Sequence, residues 1–151
     1  MLCRACETPL EPFMSFGQMP LANGFLTADE IPNEKFYHLA PAVCSKCSLF
    51  QIMEQPMPDQ MFHAQYPYYT SNSLQMQKHF ECFAKTIGPG IVIEIGCNDG
   101  TMLQHFKDRA HLGIEPAANV AKVARERGCD VINGFFNSRL AKTLACKADY
   151  I

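Results

Sequence analysis

The chain has 151 residues, of which 48% are hydrophobic and 19% charged, with a formal net charge of −2 at pH 7. This composition is typical of a folded protein and excludes a disordered one. The charge gives no electrostatic reason to expect a nucleic acid or an anionic membrane as a partner, and no apolar run approaches the ~20 residues of a membrane-spanning helix.

Two Cys-x-x-Cys pairs, Cys3 with Cys6 and Cys44 with Cys47, lie in the Pro-, Met- and Phe-rich residues 1–58. Tetrahedral zinc takes four thiolates, and a two-residue spacer lets both sulfurs of a pair face one ion. The alternatives are a redox dithiol or buried free cysteines. A redox pair normally opens a helix within a βαβ unit, and neither pair has that context. We therefore predict a structural zinc module at 1–58, with no open position for catalysis.

The N-terminus, MLCRACETPL, lacks the basic start and long apolar middle of a signal peptide. We therefore expect a cytoplasmic protein with reduced thiols, although eight cysteines are present.

Residues 59–88 contain a Tyr/Ser-rich stretch, YPYYTSNS, and then an amphipathic segment that we predict to be a helix. Thr70 or Ser71 is the expected cap of this helix, and Gly88-Pro89-Gly90 is expected to end it. Its apolar face would be formed by Met76, Phe80, Phe83, Ala84 and Ile87.

Residues 89–151 alternate between short strands and short helices, which predicts a parallel sheet of the α/β class. The predicted strands are 91–95, 112–115 and 130–133, and a fourth strand begins at 148–151. The predicted helices are 101–109, 117–127 and 138–145. Because a sheet that has only begun its fourth strand is incomplete, we expect the chain to be the N-terminal portion of a longer protein.

The strand at 91–95 leads into a Gly-rich turn, EIGCNDG, in which Gly96, Asn98 and Gly100 alternate. Glu115 ends the next strand, where an acid accepts hydrogen bonds from ribose hydroxyls. This pattern predicts an adenosine-containing ligand. Cys97, within the turn, is interpreted as a small packing residue, since no base is assigned to it.

The charges of the turn favour S-adenosylmethionine over NAD. A pyrophosphate needs bare backbone at the close-approach position, where this chain has Asn98. Glu94 and Asp99 would repel a phosphate but suit the ammonium and sulfonium of S-adenosylmethionine. A turn without any ligand is the remaining interpretation, because glycines also serve turns that bind nothing.

Taken together, these features resemble the sugar C-methyltransferases that act on nucleotide-activated 4-keto-deoxysugars, over the whole chain. The resemblance is carried by CRAC, PLANGFL, CSKCSLFQ, MFHAQYPYYTSNS, IVIEIGCNDGTML and HLGIEPAANVA. It implies a zinc module at 1–58, a connecting segment and helix at 59–88, and the N-terminal part of a Rossmann-like methyltransferase domain at 89–151. That half-sheet would be incomplete at its C-terminus.

The resemblance also implies the cofactors, zinc and S-adenosylmethionine, and a nucleotide-sugar substrate that is methylated next to its ketone. Residues implied to contact the methyl donor are Glu94, Gly96, Asn98, Asp99, Gly100 and Glu115. Phe135 or Phe136 would stack on adenine, with Phe136 the predicted contact, and Tyr68, Ser71 and Ser73 would lie over the donor or the sugar. For the Tyr and Phe side chains, packing is the alternative role.

In this family the general base, a His beside a Glu, lies downstream of Ile151, so we expect residues 1–151 alone to bind zinc without methylating. Two other functions remain open at this point. One is an NAD-dependent oxidoreductase, and the other is a zinc-ribbon interaction module joined to an inert Rossmann-like remnant. Few Lys or Arg occur in 1–58, which disfavours a nucleic-acid-binding ribbon.

Overall fold

A computed structural model describes residues 1–144 and 147–151. The chain forms two compact units, Met1–Met61 and Phe62–Ile151. Within the described ranges, no helix is long and apolar enough to cross a membrane.

The first unit, Met1–Met61, consists of two small antiparallel sheets. Strand β1 (Gln18–Pro20) pairs with β2 (Phe36–His38), and β3 (Pro41–Val43) pairs with β4 (Phe50–Ile52). A 3-10 turn spans Ile31–Asn33, and a short helix, α1 (Pro58–Met61), ends the unit. Its buried core is formed by Cys3, Leu10, Ala42 and Cys44, with Cys6 and Met53 packed against it. Because so small a core stabilises a fold weakly, a bound metal would add substantially to folding.

The second unit contains the predicted parallel sheet. Strands β5 (Val92–Ile95), β6 (His111–Glu115) and β7 (Val131–Asn133) are parallel and lie in the order β5-β6-β7. Tyr150 forms a parallel bridge with Val92 on the other edge of β5. The start of the predicted fourth strand of this sheet therefore lies beside β5. The predicted α/β fold class is confirmed.

Helix α2 (Leu74–Ala84) precedes the sheet and begins one residue after its cap. The cap is Ser73, whose Oγ accepts a hydrogen bond from the Met76 amide at 3.2 Å. The expectation that Thr70 or Ser71 caps this helix was wrong, because these two residues belong to a separate 3-10 turn, Thr70–Asn72.

The predicted helix at 101–109 was also wrong in type, since the segment forms a short 3-10 helix, Leu103–Phe106. A 3-10 helix places residues i and i+3 on one side. Leu103 and Phe106 have this spacing, and both are almost completely buried. Burial of this pair against the sheet favours the tighter turn.

The remaining helices agree with the sequence pattern in type and approximate extent. Helix α3 (Ala118–Glu126) follows β6, and Gly128, at φ +84°, lies just beyond its end. Helix α4 (Ser138–Thr143) is capped by Asn137, whose Oδ1 accepts from the Leu140 amide at 2.9 Å. The predicted segment 138–145 ends at Ala145, which lies outside the described residues. The core beneath the helices contains Ala84, Val92, Cys97, Leu103, Phe106, Ala124 and Cys129.

Candidate functional site

The two Cys-x-x-Cys pairs form turns of the same geometry. The Cys3 carbonyl accepts the Glu7 amide at 2.9 Å, and the Cys44 carbonyl accepts the Ser48 amide at 2.9 Å. Glu7 and Ser48 each follow the second cysteine of a pair and have φ of 59° and 60°. Two separate sequences thus adopt one local structure, in which both thiols of each pair project to the same side.

The four thiols converge on one point. Their sulfur atoms all lie within 4.8 Å of one another, and the closest approaches, Cys3 to Cys47 and Cys6 to Cys44, are 3.6 and 3.5 Å. A zinc–sulfur bond of about 2.3 Å sets the sulfur–sulfur edge of a tetrahedron at about 3.8 Å. The predicted donor set is therefore brought together with dimensions that fit one zinc ion.

Backbone amides favour the thiolate forms of Cys3 and Cys44, the form that a metal requires, whereas the neighbouring thiols and burial raise the pKa of Cys47. The hydrogen bond from the Ala5 amide is the main cause that lowers the pKa of Cys3 to about 6. The Cys47 amide is the main cause that lowers the pKa of Cys44.

Gln51, which we did not predict as a site residue, contacts this cluster from β4. Its Nε2 lies 3.2 Å from the Cys3 sulfur, and its Oε1 accepts the Arg4 amide at 3.1 Å. The side chain is buried, although the flanking residues of the strand are not. The available signal was a polar residue at the inward position of a short strand that follows a Cys-x-x-Cys pair.

A cavity of about 450 Å³ lies at the carboxyl ends of β5 and β6. This volume lies within the range of small-molecule sites, and the position is where open α/β sheets bind ligands. Five of the predicted site residues line it: Tyr68, Gly96, Asn98, Glu115 and Phe136.

The backbone of the turn explains why an Asn can replace a glycine here. Gly96, Asn98 and Gly100 have φ of 74°, 49° and 75°. Asn tolerates this left-handed region better than other residues with a side chain. Asn98 thus keeps the turn and adds an amide to it.

Glu115 lies at the carboxyl end of β6 and is held by two backbone amides. Its Oε2 accepts from the Asn98 amide at 2.9 Å, and its Oε1 accepts from the Ala117 amide at 2.8 Å. Burial raises the pKa of Glu115, and these two amides oppose the rise. Because each carboxylate oxygen has a further lone pair, the group can accept hydrogen bonds from a ligand in the cavity.

Asp99 points away from this cavity and is completely buried. Its carboxylate accepts from the Ser71 amide at 3.1 Å and from the Thr101 hydroxyl at 2.6 Å, and it pairs with Arg127 at 3.3 Å. Burial alone would raise the pKa of Asp99, but these partners outweigh it and lower the pKa. The side chain serves the protein's own structure.

Glu94 also points elsewhere, into a separate cavity of about 290 Å³ that Met102 and Tyr150 help to line. Its buried Oε2 has no hydrogen-bond partner within residues 1–144 and 147–151. Burial, followed by the charge of Asp99, raises the pKa of Glu94 to about 8. The two acids on which the charge argument for a cationic ligand depended therefore do not face the Glu115 cavity.

Three further predicted site residues are engaged in protein contacts and do not line the cavity. Ser73 caps α2, and the Ser71 hydroxyl accepts from Arg127 at 2.8 Å. A side chain at Gly100 would meet Ala124 and the Cys129 sulfur at 3.1 Å, so this glycine permits close packing on α3.

The cavity has an aromatic side that we only partly predicted. Phe62 lies with its ring centroid 5.5 Å from that of Tyr66 and 6.5 Å from that of Phe135. Phe62 and Tyr66 line the cavity with Phe135 and Phe136. We gave no role to Phe62 or Tyr66, although both lie in the aromatic-rich stretch MFHAQYPYY.

Cys97 does not act as a reactive thiol in this arrangement. The side chain is buried, and burial raises its pKa well above the usual range. The packing role predicted for Cys97 is consistent with this environment.

Comparisons with known proteins agree with this geometry. Residues 3–62 match a family model described as "Putative zinc binding domain". The chain is 30% identical over 155 aligned residues to the C-methyltransferase NovU of Streptomyces niveus, and the match covers 96% of this chain and 37% of that protein. The chain therefore spans little more than a third of the length of this curated relative.

One solved structure that is similar to part of this chain is that of a SAM-dependent methyltransferase, possible histamine N-methyltransferase, from Thermotoga maritima. The two chains are 28% identical in the matched region, which covers 47% of this chain and 30% of the Thermotoga maritima chain, with a TM-score of 0.32. The family model and the NovU match together confirm the resemblance to a C-methyltransferase with an N-terminal zinc-binding module.

Proposed function

Starting from its resemblance to the N-terminal portion of the sugar C-methyltransferases, we propose that this chain carries the zinc module and the methyl-donor site of an S-adenosylmethionine-dependent C-methyltransferase. The observation that carries the proposal is the position of Glu115. It lies at the end of β6, in the wall of a cavity where parallel sheets bind adenosine ligands. The identity to a C-methyltransferase across almost the whole chain supports it.

The residues around this cavity divide the contacts with the donor. The Glu115 carboxylate accepts hydrogen bonds from the ribose hydroxyls, and Gly96 gives the ligand access to bare backbone. Phe136, together with Phe62 and Phe135, forms the aromatic wall that packs on adenine and excludes water. When bound, S-adenosylmethionine supplies an electrophilic methyl group.

Of the predicted substrate residues, Tyr68 lines the cavity. It remains 45% exposed to solvent. A phenol at the open side of a donor site can donate to or accept from a substrate oxygen. We propose that the substrate is a nucleotide-linked 4-keto-6-deoxysugar, methylated at the carbon next to its ketone. The resemblance supports this assignment, and Tyr68 would orient the sugar.

We also propose that Cys3, Cys6, Cys44 and Cys47 hold zinc in the first unit. Four thiolates saturate a tetrahedral ion and leave no position for substrate, so the metal's role is to fold Met1–Met61. A cytoplasmic location, where thiols stay reduced, is part of the same proposal.

Titration calorimetry with S-adenosylmethionine, S-adenosylhomocysteine and NAD tests the donor site. We expect both adenosylated amino acids to bind with one-to-one stoichiometry and NAD to bind at least about tenfold more weakly. The reason is that Asn98, which lines the cavity, occupies the close-approach position where a pyrophosphate needs bare backbone. Tighter binding of NAD would overturn the proposal. Zinc is measured separately by metal analysis of the purified chain, and fewer than about one zinc per chain would contradict the metal assignment.

A further inference from the structure

The Gly-rich turn makes hydrogen bonds to an earlier part of its own chain. The Oδ1 of Asn98 accepts from the Thr70 amide at 2.9 Å and from the Thr70 hydroxyl at 3.2 Å, while its Nδ2 donates to the Tyr68 carbonyl at 3.1 Å. One side chain thus contacts the backbone on both sides of Tyr69. We call residues 66–71, which include these contacts, the aromatic segment.

A second connection lies next to the first and involves the end of α3. The Ser71 amide donates to the Asp99 carboxylate at 3.1 Å. Arg127 pairs with that carboxylate at 3.3 Å and also donates to the Ser71 hydroxyl and to the Asp99 carbonyl, both at 2.8 Å. Because Asp99 is fully buried and Arg127 is mostly buried, water competes weakly for these bonds.

A third connection comes from the start of α3. The Nδ2 of Asn119 donates to the Tyr66 carbonyl at 2.7 Å and to the Tyr69 hydroxyl at 2.8 Å. The aromatic segment is therefore held at its beginning, middle and end by the turn and by α3.

What the segment contributes to the cavity gives these bonds a consequence for the ligand. Tyr66, Tyr68 and Thr70 all line the cavity, whereas Asp99, Asn119 and Arg127 do not. A wall that is already ordered does not have to lose conformational entropy when the ligand binds. Residues that never touch the ligand can therefore alter its affinity.

We propose that Asn98, Asp99, Asn119 and Arg127 are positioning residues that hold the aromatic segment as one wall of the donor cavity. The ligand part of this inference rests on the proposed function. It also gives the residues Asn98 and Asp99 of EIGCNDG a different role from the methyl-donor contacts that the sequence indicated. They bind the protein's own segment, and the segment shapes the site.

The test combines hydrogen exchange with ligand binding. Arg127→Gln removes the guanidinium group that contacts both Asp99 and Ser71. It changes no residue that lines the cavity. We expect faster amide exchange in residues 66–73 of the ligand-free chain and an affinity for S-adenosylhomocysteine about tenfold lower. Lys122→Gln, an exposed change on the same helix, is the matched control and leaves both quantities unchanged.

A second variant and a conservative one separate positioning from a general loss of structure. Asn98→Gly removes the side-chain bonds but accepts the φ of 49° without strain, so it gives the same local exchange even if Arg127→Gln unfolds. Arg127→Lys keeps one cation beside Asp99 and restores part of the affinity. A merely structural role would instead raise exchange throughout β5 and β6.

Equal exchange in residues 66–73 and equal affinity in the wild type and both variants would overturn the inference. If the wild type binds no S-adenosylhomocysteine, the proposed function is wrong. Exchange in the ligand-free chain then still decides whether these residues hold the segment.

Discussion

The backbone amide of Asn98 donates to the Oε2 of Glu115 over 2.9 Å, and this bond joins the turn after β5 to the carboxyl end of β6. The Ala117 amide holds the other carboxylate oxygen at 2.8 Å. The orientation of the predicted ribose acceptor is therefore fixed before any ligand arrives. Preorganisation of this kind is an economical source of affinity.

Glu115→Gln tests this arrangement, because an amide of the same shape places an NH2 group against one of the two backbone donors. We expect the affinity for S-adenosylhomocysteine to fall at least about tenfold and the free energy of unfolding to fall by about 1–3 kcal/mol. Calorimetry and denaturant unfolding measure the two effects. Glu126→Gln, on the exposed face of α3, is the control, and equal affinities in the two variants would contradict the assigned role.

The raised pKa of Glu94 predicts that the free energy of unfolding depends on pH. Burial raises its folded-state pKa to about 8, above the reference value of 4.5, so the folded state retains a proton that the unfolded state loses. The stabilisation is complete below the unfolded pKa and is lost as the pH rises through the folded pKa. Between about pH 5 and 8 the wild type should lose up to about 1.4 kcal/mol per pH unit from this group.

Denaturant unfolding of the wild type and of Glu94→Gln across this pH range isolates the contribution. The variant stays neutral, so the difference in unfolding free energy between the two proteins should change steadily with pH and level off above about pH 8. A difference that does not vary between pH 5 and 8 would show that Glu94 is ionised in the folded protein.

The contact between Gln51 and Cys3 predicts that Gln51, which is not itself a metal ligand, affects the affinity for zinc. Its Nε2 lies 3.2 Å from the Cys3 sulfur, and groups that hydrogen-bond to metal ligands typically change affinity by about 10- to 100-fold. We expect Gln51→Leu to weaken zinc binding within this range, measured by competition with a chromophoric chelator. Gln55→Leu, at an exposed position nearby, should match the wild type, and equal affinities in both variants would contradict the contact's contribution.

The parts of this fold that the sequence predicted are those with local signals. Alternating apolar strands and short helices predicted β5, β6 and β7 to within a residue or two, and the Cys-x-x-Cys spacing predicted that the four sulfurs converge. These patterns depend on residues close together in the chain, because they express backbone periodicity and turn geometry.

The features that could not be predicted from the sequence depend on contacts between residues far apart in the chain. Nothing near Asp99 in the sequence indicates that Arg127 and Ser71 bind it, so its charge was assigned to a ligand. Likewise, Thr70 and Ser71 were the predicted caps, and only the fold shows that Ser73 has this role. Phe62 was missed because its role depends on meeting Phe135 from the other end of the unit.

Gly113 lies where the packing around β6 leaves no room for a side chain. A Cβ at this position of β6 would lie 2.5 Å from the Cys97 sulfur and 2.8 Å from Leu103, so Gly113→Ala should cost about 1–3 kcal/mol of unfolding free energy through overpacking. Gly134→Ala is the matched control, because a Cβ there meets no atom of the described chain within 4 Å.

Cys97→Ala in the Gly113→Ala background should recover part of this loss, since it removes the sulfur that the new methyl group meets. Thermal unfolding of the two single variants and the double variant completes a mutant cycle. Recovery would show that the Gly-rich turn is seated on β6 through Cys97. Strict additivity would contradict that, because two side chains in direct contact are expected to be coupled.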